Sequence, residues 1–222
     1  MKYTVHLILQ AIFCFGFLQL PLVADEWKIV EVKDGVEVFE GAWEEHSEHQ
    51  YKGVLIIEQP IEIIAAVLSD ISTYPTWFHR CSEAKKLPTK DRSTLDFFLY
   101  IIIDVPWPFA DRDAVFDAET TMDMEAGRLV IRSRAQTDSK VANHHDYVRI
   151  TDSEQQWILE KITPHTTRTT FINRTAGSGS MAAFIADLGG RATVVESLIN
   201  MRTVAADPRY KKLAQELKAA IK

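Results

Sequence analysis

The sequence predicts an α+β fold in which a long, curved antiparallel sheet wraps around a long C-terminal helix. Three observations predict it. Short segments of strand character follow one another from Ser82 to Asn173, separated by turn residues. That is the pattern of sequentially connected antiparallel strands, not of alternating strands and helices. A single helix-forming segment, opened by Pro60, precedes them. A helical tail follows them, with apolar residues recurring at spacings of three and four from Met181 to Ala205.

Along the chain, Trp27 to Val32 is a short apolar-polar opening, and Asp34-Gly35 is a turn before the alternating strand Val36–Phe39. Tyr51–Ile57 is the next strand. The helix after Pro60 puts Ile61, Ile64, Ala65 and Leu68 on one face and ends near Asp70, and Tyr74–Phe78 is an aromatic turn. The middle of the chain divides into strands at Ser82–Leu87, Leu95–Ile103, Arg112–Thr121 and Arg128–Thr137, then at Asp146–Thr151, Gln155–Ile162 and Thr166–Asn173. Turns fall at Lys90-Asp91, at Pro106 and Pro108, at Ala126-Gly127 and at Thr163-Pro164. Gly177–Ser180 ends the strand pattern. In the tail, Gly189-Gly190 separates two apolar runs; each interior glycine costs a helix about 1 kcal/mol relative to alanine, so a kink or flexible point is expected there. Asp207-Pro208 interrupts the helix, and Lys211–Lys222 forms a short amphipathic one with Leu213, Leu217 and Ile221. This is the helix-grip layout, whose space between sheet and last helix is either core or ligand cavity.

With 222 residues, 46% hydrophobic and 25% charged, the chain is one ordinary globular domain; disordered, collagen-like and disulfide-scaffold classes are excluded. A formal charge of −6 gives no basic footprint, so no nucleic-acid partner is expected. Lys2, an apolar run from Val5 to Val23, and Ala24 before Asp25-Glu26 describe a secretory signal peptide over residues 1–24, with Leu22 and Ala24 at its −3 and −1 positions. The alternative is an uncleaved membrane anchor, since about 17–25 apolar residues can span a bilayer, although Gln10, Gln19 and Pro21 interrupt this run. The expectation is a secreted or periplasmic domain over residues 25–222. Cys81 is then the only cysteine left, so no intrachain disulfide forms and the fold stands on packing.

Side chains alternate along a strand, so each strand is expected to carry one wet and one buried face. The buried parities are Leu99 with Ile101, then Arg112, Ala114, Phe116 and Ala118, then Ile131 with Ser133. Several of these residues are small. The volume they leave must be filled by the terminal helix or by a ligand. From the helix, Phe184, Leu188, Val195 and Leu198 complete the candidate lining. Arg112, Ser133 and Tyr100 are candidates for the polar groups that orient a ligand; Arg112 with Asp113 also reads as a structural ion pair or loop anchor. Trp107, held between Pro106 and Pro108, is a candidate contact to the lid helix or to a membrane interface, against ordinary burial under the helix. Gly189 and Gly190 mark where such a lid would open. His46, His49, His144 and His145 fall in polar loop segments without a third ligand, so no metal is expected. No nucleophile elbow, phosphate loop, dinucleotide fingerprint or Cys-x-x-Cys is present, and neither catalysis nor a cofactor is expected.

At four places the chain resembles the START family, the lipid-transfer domains related to steroidogenic acute regulatory protein. Trp27 with Asp34–Val38 looks like its opening Trp and Gly-Val strand, and Pro60–Trp77 like its first helices. Val105–Val115, with Arg112-Asp113, looks like its loop, Arg-Asp pair and following strand; Gly179-Ser180-Met181 and the helix to Arg202 look like its lid. The resemblance implies a hydrophobic cavity that carries one lipid-like molecule without covalent chemistry; a monomer with transient membrane contact is expected. The positions of the acidic and basic residues that face each other in sterol-carrying relatives fall at Leu99 and Ala118, which implies a more apolar pocket suited to an acyl chain or another hydrophobe. A related cyclase/aromatase enzyme is the second reading; its candidate groups Tyr100, Asp104 and Asp117 fall on the wrong parity or near strand ends. An interaction module with a self-filled cavity is the third.

Overall fold

In the computed structural model, the residues described are 27–43, 46, 48–88, 96–123, 125–137, 141, 146–176 and 182–220. Residues 1–24 lie outside them. The chain opens with a hairpin of β1 (Lys28–Lys33) and β2 (Val36–Ala42), closed by Asp34 and Gly35, which both adopt positive φ as a tight hairpin turn requires. β3 (His49–Ile57) pairs with β2, and α1 (Ile61–Ser69) follows. After a 3-10 turn at Ile71–Thr73, the aromatic segment forms one helical turn, α2 (Tyr74–Trp77). Then come β4 (Cys81–Leu87), β5 (Phe97–Ile103), β6 (Arg112–Asp123), β7 (Arg128–Ala135), β8 (Val148–Ile150), β9 (Ser153–Thr163) and β10 (Thr166–Thr175). Two helices end the chain, α3 (Ala182–Val204) and α4 (Arg209–Ala220).

The strands form one curved sheet in the order β1-β2-β3-β10-β9-β7-β6-β5-β4. The first three strands join the rest at the β3–β10 pair, which sets Tyr51–Ile57 beside Thr167–Asn173. α3 crosses the inner face over β2, β3 and β10, with Val194, Leu198 and Met201 fully buried. Gly53 explains how closely it sits: a Cβ there would lie 2.6 Å from Leu198 Cδ1, so only glycine allows the helix to rest on β3. Tyr74, Trp77 and Phe78 pack under the helix, and Trp77 meets the Trp157–Phe171 stack edge-on at 6.0 Å. α4 closes the opposite side against α1, where Tyr210 is fully buried and its hydroxyl lies 3.2 Å from Thr73 Oγ1.

Two expectations are corrected. Asp146–Thr151 is not a full antiparallel strand: only Val148–Ile150 is extended, and it pairs in parallel with Arg112–Ala114 of β6. β7 ends opposite Phe116, which leaves the edge of β6 open at its first residues, and β8 fills that vacancy. The division into one wet and one buried face fails at the start of β6, because Asp113 and Val115 are buried on the outer parity as well. An ion pair and a tyrosine lie over Asp113, as described below. At Gly189-Gly190, where a kink or flexible point is expected, α3 continues through both residues as one helix. Gly190 has a packing reason instead. A Cβ there would meet Tyr51 Cδ2 at 3.0 Å, whereas Gly189 faces open space.

A cavity between the sheet and the C-terminal helix

A cavity of about 140 Å³ opens between α3 and the strands, at the end where β6 and β9 begin and β5 and β10 finish. Its apolar wall is built by Ile101 and Ile103 of β5, Ala114 and Phe116 of β6, and Phe78 and Ile150. These meet because β5 and β6 pair with Ile101 opposite Ala114 and Ile103 opposite Arg112, so the inner parities of both strands coincide. Its polar wall carries Ser153 and Gln155 of β9 with Asn173 and Thr175 of β10. Gly189, Gly190 and Thr193 of α3 form the roof. Arg112 is the one charged side chain on the lining among the described residues.

Of the residues selected from sequence, Ile101, Arg112, Ala114, Phe116, Gly189 and Gly190 border this cavity. Leu99, Ala118, Ile131, Val195 and Leu198 share the inner face but belong to the packed core farther along it, and Ser133 is buried without bordering the cavity. The side chains of Phe184 and Leu188 lie outside the described residues, as do His144 and His145. Sequence reasoning missed Ser153, Gln155, Asn173 and Thr175. The signal for them was present in strand parity: Ser153 and Gln155 alternate into the same face as Trp157, and Asn173 and Thr175 into the face of Phe171.

Arg112 and Asp113 do not pair with each other. Arg112 Nη1 donates to the Ala110 carbonyl. Asp113, 1% exposed, accepts from Arg149 of β8 through both carboxylate oxygens at 2.7 Å, and from the Tyr100 hydroxyl at 3.2 Å. Burial, with the Asp113 charge adding to it, pushes the Tyr100 phenol up to about 12. This cluster ties three strands together on the outer face and fixes Ile150, one residue beyond Arg149, in the cavity wall.

The loop between β5 and β6 stands at the cavity's edge through Val105, whose N–H donates to Asp111 Oδ1 at 2.8 Å. Trp107 projects from it and is 91% exposed, which settles burial beneath the helix against it. His46 stacks on Trp43 and faces Asp152 at 3.7 Å, while His49 faces Glu40 at 3.9 Å. Among the described residues no three His, Cys, Asp or Glu side chains converge in a metal-holding group. Cys81 is buried, with its thiol pushed up to about 12 by that burial, and Sγ donates to the Glu83 carbonyl. A thiol so far from its thiolate form is a packing residue, not a nucleophile.

A curved antiparallel sheet gripping a C-terminal helix, with a cavity between the two, is the START-domain fold. Among the solved structures to which the chain is similar are lipid-transfer domains of that fold. A STAR-related lipid transfer protein fragment from Xanthomonas axonopodis superposes with a TM-score of 0.74 at 20% identity, over 82% of this chain and 100% of that one. Human STARD10 gives 0.73 at 18% identity, over 84% and 76%, and the lipid transfer domain of human StarD13 gives 0.67 at 17%, over 83% and 91%. In sequence, the chain is 27% identical over 165 residues to an uncharacterized protein of Pseudomonas aeruginosa, covering 74% of this chain and 79% of the other. No family model matches the chain.

Proposed function

We propose that the protein is a non-enzymatic carrier that takes one hydrophobic small molecule into the cavity under α3 and delivers it to a membrane. The observation that carries this reading is the cavity itself. It has a continuous apolar wall from Phe78 to Ile150 and a short polar arc opposite, the composition of a site that gains affinity from burial and orientation from a few polar groups. The groups an enzyme of this shape would need are elsewhere. Tyr100 is engaged by Asp113 on the outer face, Asp104 is exposed in the loop and Asp117 lies on the outer parity. The reading takes residues 1–24 as an export signal and places the carrier outside the cytoplasm.

The membrane contact is assigned to Trp107. An indole held out between two prolines beside the cavity's edge suits the bilayer interface, where its apolar body and polar N–H are both satisfied. Replacing Trp107 with alanine is expected to leave unfolding unchanged and to lower co-sedimentation with phosphatidylcholine vesicles several-fold. Unchanged vesicle binding removes Trp107 from the reading.

The direct test is native mass spectrometry of the protein purified without detergent, followed by solvent extraction. A co-purifying lipid in one-to-one ratio is the expected result. A ligand-free protein that also takes up none of a panel of labelled fatty acids, sterols and phospholipids overturns the carrier reading.

A further inference from the structure

We propose that the cavity selects a single-chain amphiphile with an anionic head group, and that Arg112 is the residue that reads that head group. This rests on the carrier reading and narrows it to a ligand class.

The charge arrangement at the start of β6 carries the inference. Arg112 is flanked by two carboxylates, yet neither serves it. One oxygen of Asp111 is taken by the Val105 N–H, and Asp113 turns to the outer face, where Arg149 and Tyr100 occupy both its oxygens. No carboxylate lies within ion-pair distance of Arg112 among the described residues, and one of its five N–H donors is used, on the Ala110 carbonyl. A half-buried guanidinium therefore stands on an otherwise uncharged lining, beside Ile103 and Ala114. Desolvating a cation beside apolar surface is unfavourable unless a counter-charge arrives. The planar fork that remains is shaped for a two-oxygen anion, bonded through two parallel N–H···O contacts. The rest of the lining fits the tail of such a molecule and offers its head no competing acid, since Ser153, Gln155, Asn173 and Thr175 are neutral.

Size sets the other half of the class. A volume of about 140 Å³ is below the range of roughly 300–1,000 Å³ that encloses a drug-sized ligand. It is close to the roughly 150 Å³ that holds one benzene, so it encloses the head group and first few carbons of one slender chain, with the rest of the tail outside, and leaves no room for the entry of two acyl chains side by side.

The experiment is displacement of a fluorescent fatty acid from the full protein by palmitate and by hexadecanol, which differ at the head group alone. Palmitate is expected to displace the probe at least tenfold more tightly than hexadecanol, with the advantage shrinking as salt is raised. In Arg112→Met the two should displace equally, and Arg112→Lys should restore part of the preference; thermal unfolding of the variants shows that the fold survives. Equal displacement in the unaltered protein, or a palmitate preference that persists in Arg112→Met, overturns the head-group role while leaving the carrier reading intact. Failure of the probe and of both competitors to bind overturns the carrier reading itself. The comparison of the two competitors in the unaltered protein needs no variant, so the inference is tested even if Arg112→Met does not fold.

Discussion

Replacing Asp113 with alanine will destabilise the protein by about 3–5 kcal/mol, because it leaves the Arg149 guanidinium buried without its counter-charge. Arg149 is 9% exposed, so little water reaches it, and its Nη1 also donates to the Val141 carbonyl at 3.4 Å. Urea unfolding measures the loss. A loss below about 1 kcal/mol would mean that Arg149 finds water after all. Removing both partners together, as Asp113→Leu with Arg149→Met, should recover most of the stability, since a well-packed apolar pair replaces a buried ion pair at little cost. The same cluster makes a spectroscopic prediction. In Asp113→Asn the Tyr100 phenol should titrate below its native value of about 12 but above 10, because burial, the larger cause, remains. The native phenol deprotonates near 12 and an unfolded one near 10, so the stability it supports is present below pH 10 and is lost as pH rises from 10 towards 12.

Ala114→Phe will abolish ligand uptake while the protein stays folded. Ala114 borders the cavity opposite Ile101, and a phenyl ring projecting from it occupies most of a space of about 140 Å³. Because the ring enters existing volume, the expected loss of stability is at the lower end of the roughly 1–3 kcal/mol typical of overpacking. Ala118→Phe is the contrasting variant. Ala118 lies on the same parity of the same strand but in closed core, so the identical change should cost stability at the upper end of that range. Uptake by Ala114→Phe at the level of the unaltered protein, measured with the fluorescent fatty acid, would show that the ligand sits elsewhere.

The strands were readable because their periodicity is local. Arg112–Thr121 and Gln155–Ile162 carry strand character bounded by turn residues, and β6 and β9 cover them. What depends on where another strand stops was not readable. The direction of β8 follows from β7 ending opposite Phe116, which no feature of Val148–Ile150 announces. The partner of Asp113 was hidden for the same reason, since Arg149 lies 36 positions away and on a strand too short to show a pattern. Parity separated inward from outward residues, but it carries no information about depth. Leu99 and Ala118 face the same way as Ile101 and Ala114; where α3 rests on Gly53, and so where packing ends and space begins, is a property of the assembled sheet. The glycine pair was noticed for its helix-breaking tendency, whereas the structure gives Gly190 a different role, contact with Tyr51.

The pairing of β3 with β10 also sets the order in which the molecule can be made. The Thr167 hydroxyl donates to the Gln59 carbonyl across 108 positions of chain; on one side of that joint lie the first three strands, and on the other the strands from β10 back to β4. Until β10 has left the ribosome, the first three strands and α1 have no middle of the sheet to join, and α3, which covers the inner face, emerges later still. Closing so long a loop is slow, and strand edges stay open in the meantime. The strands from β4 to β9 can pair as they emerge, whereas the first three strands and α1 are expected to stay apart from them until the last quarter of the chain is free.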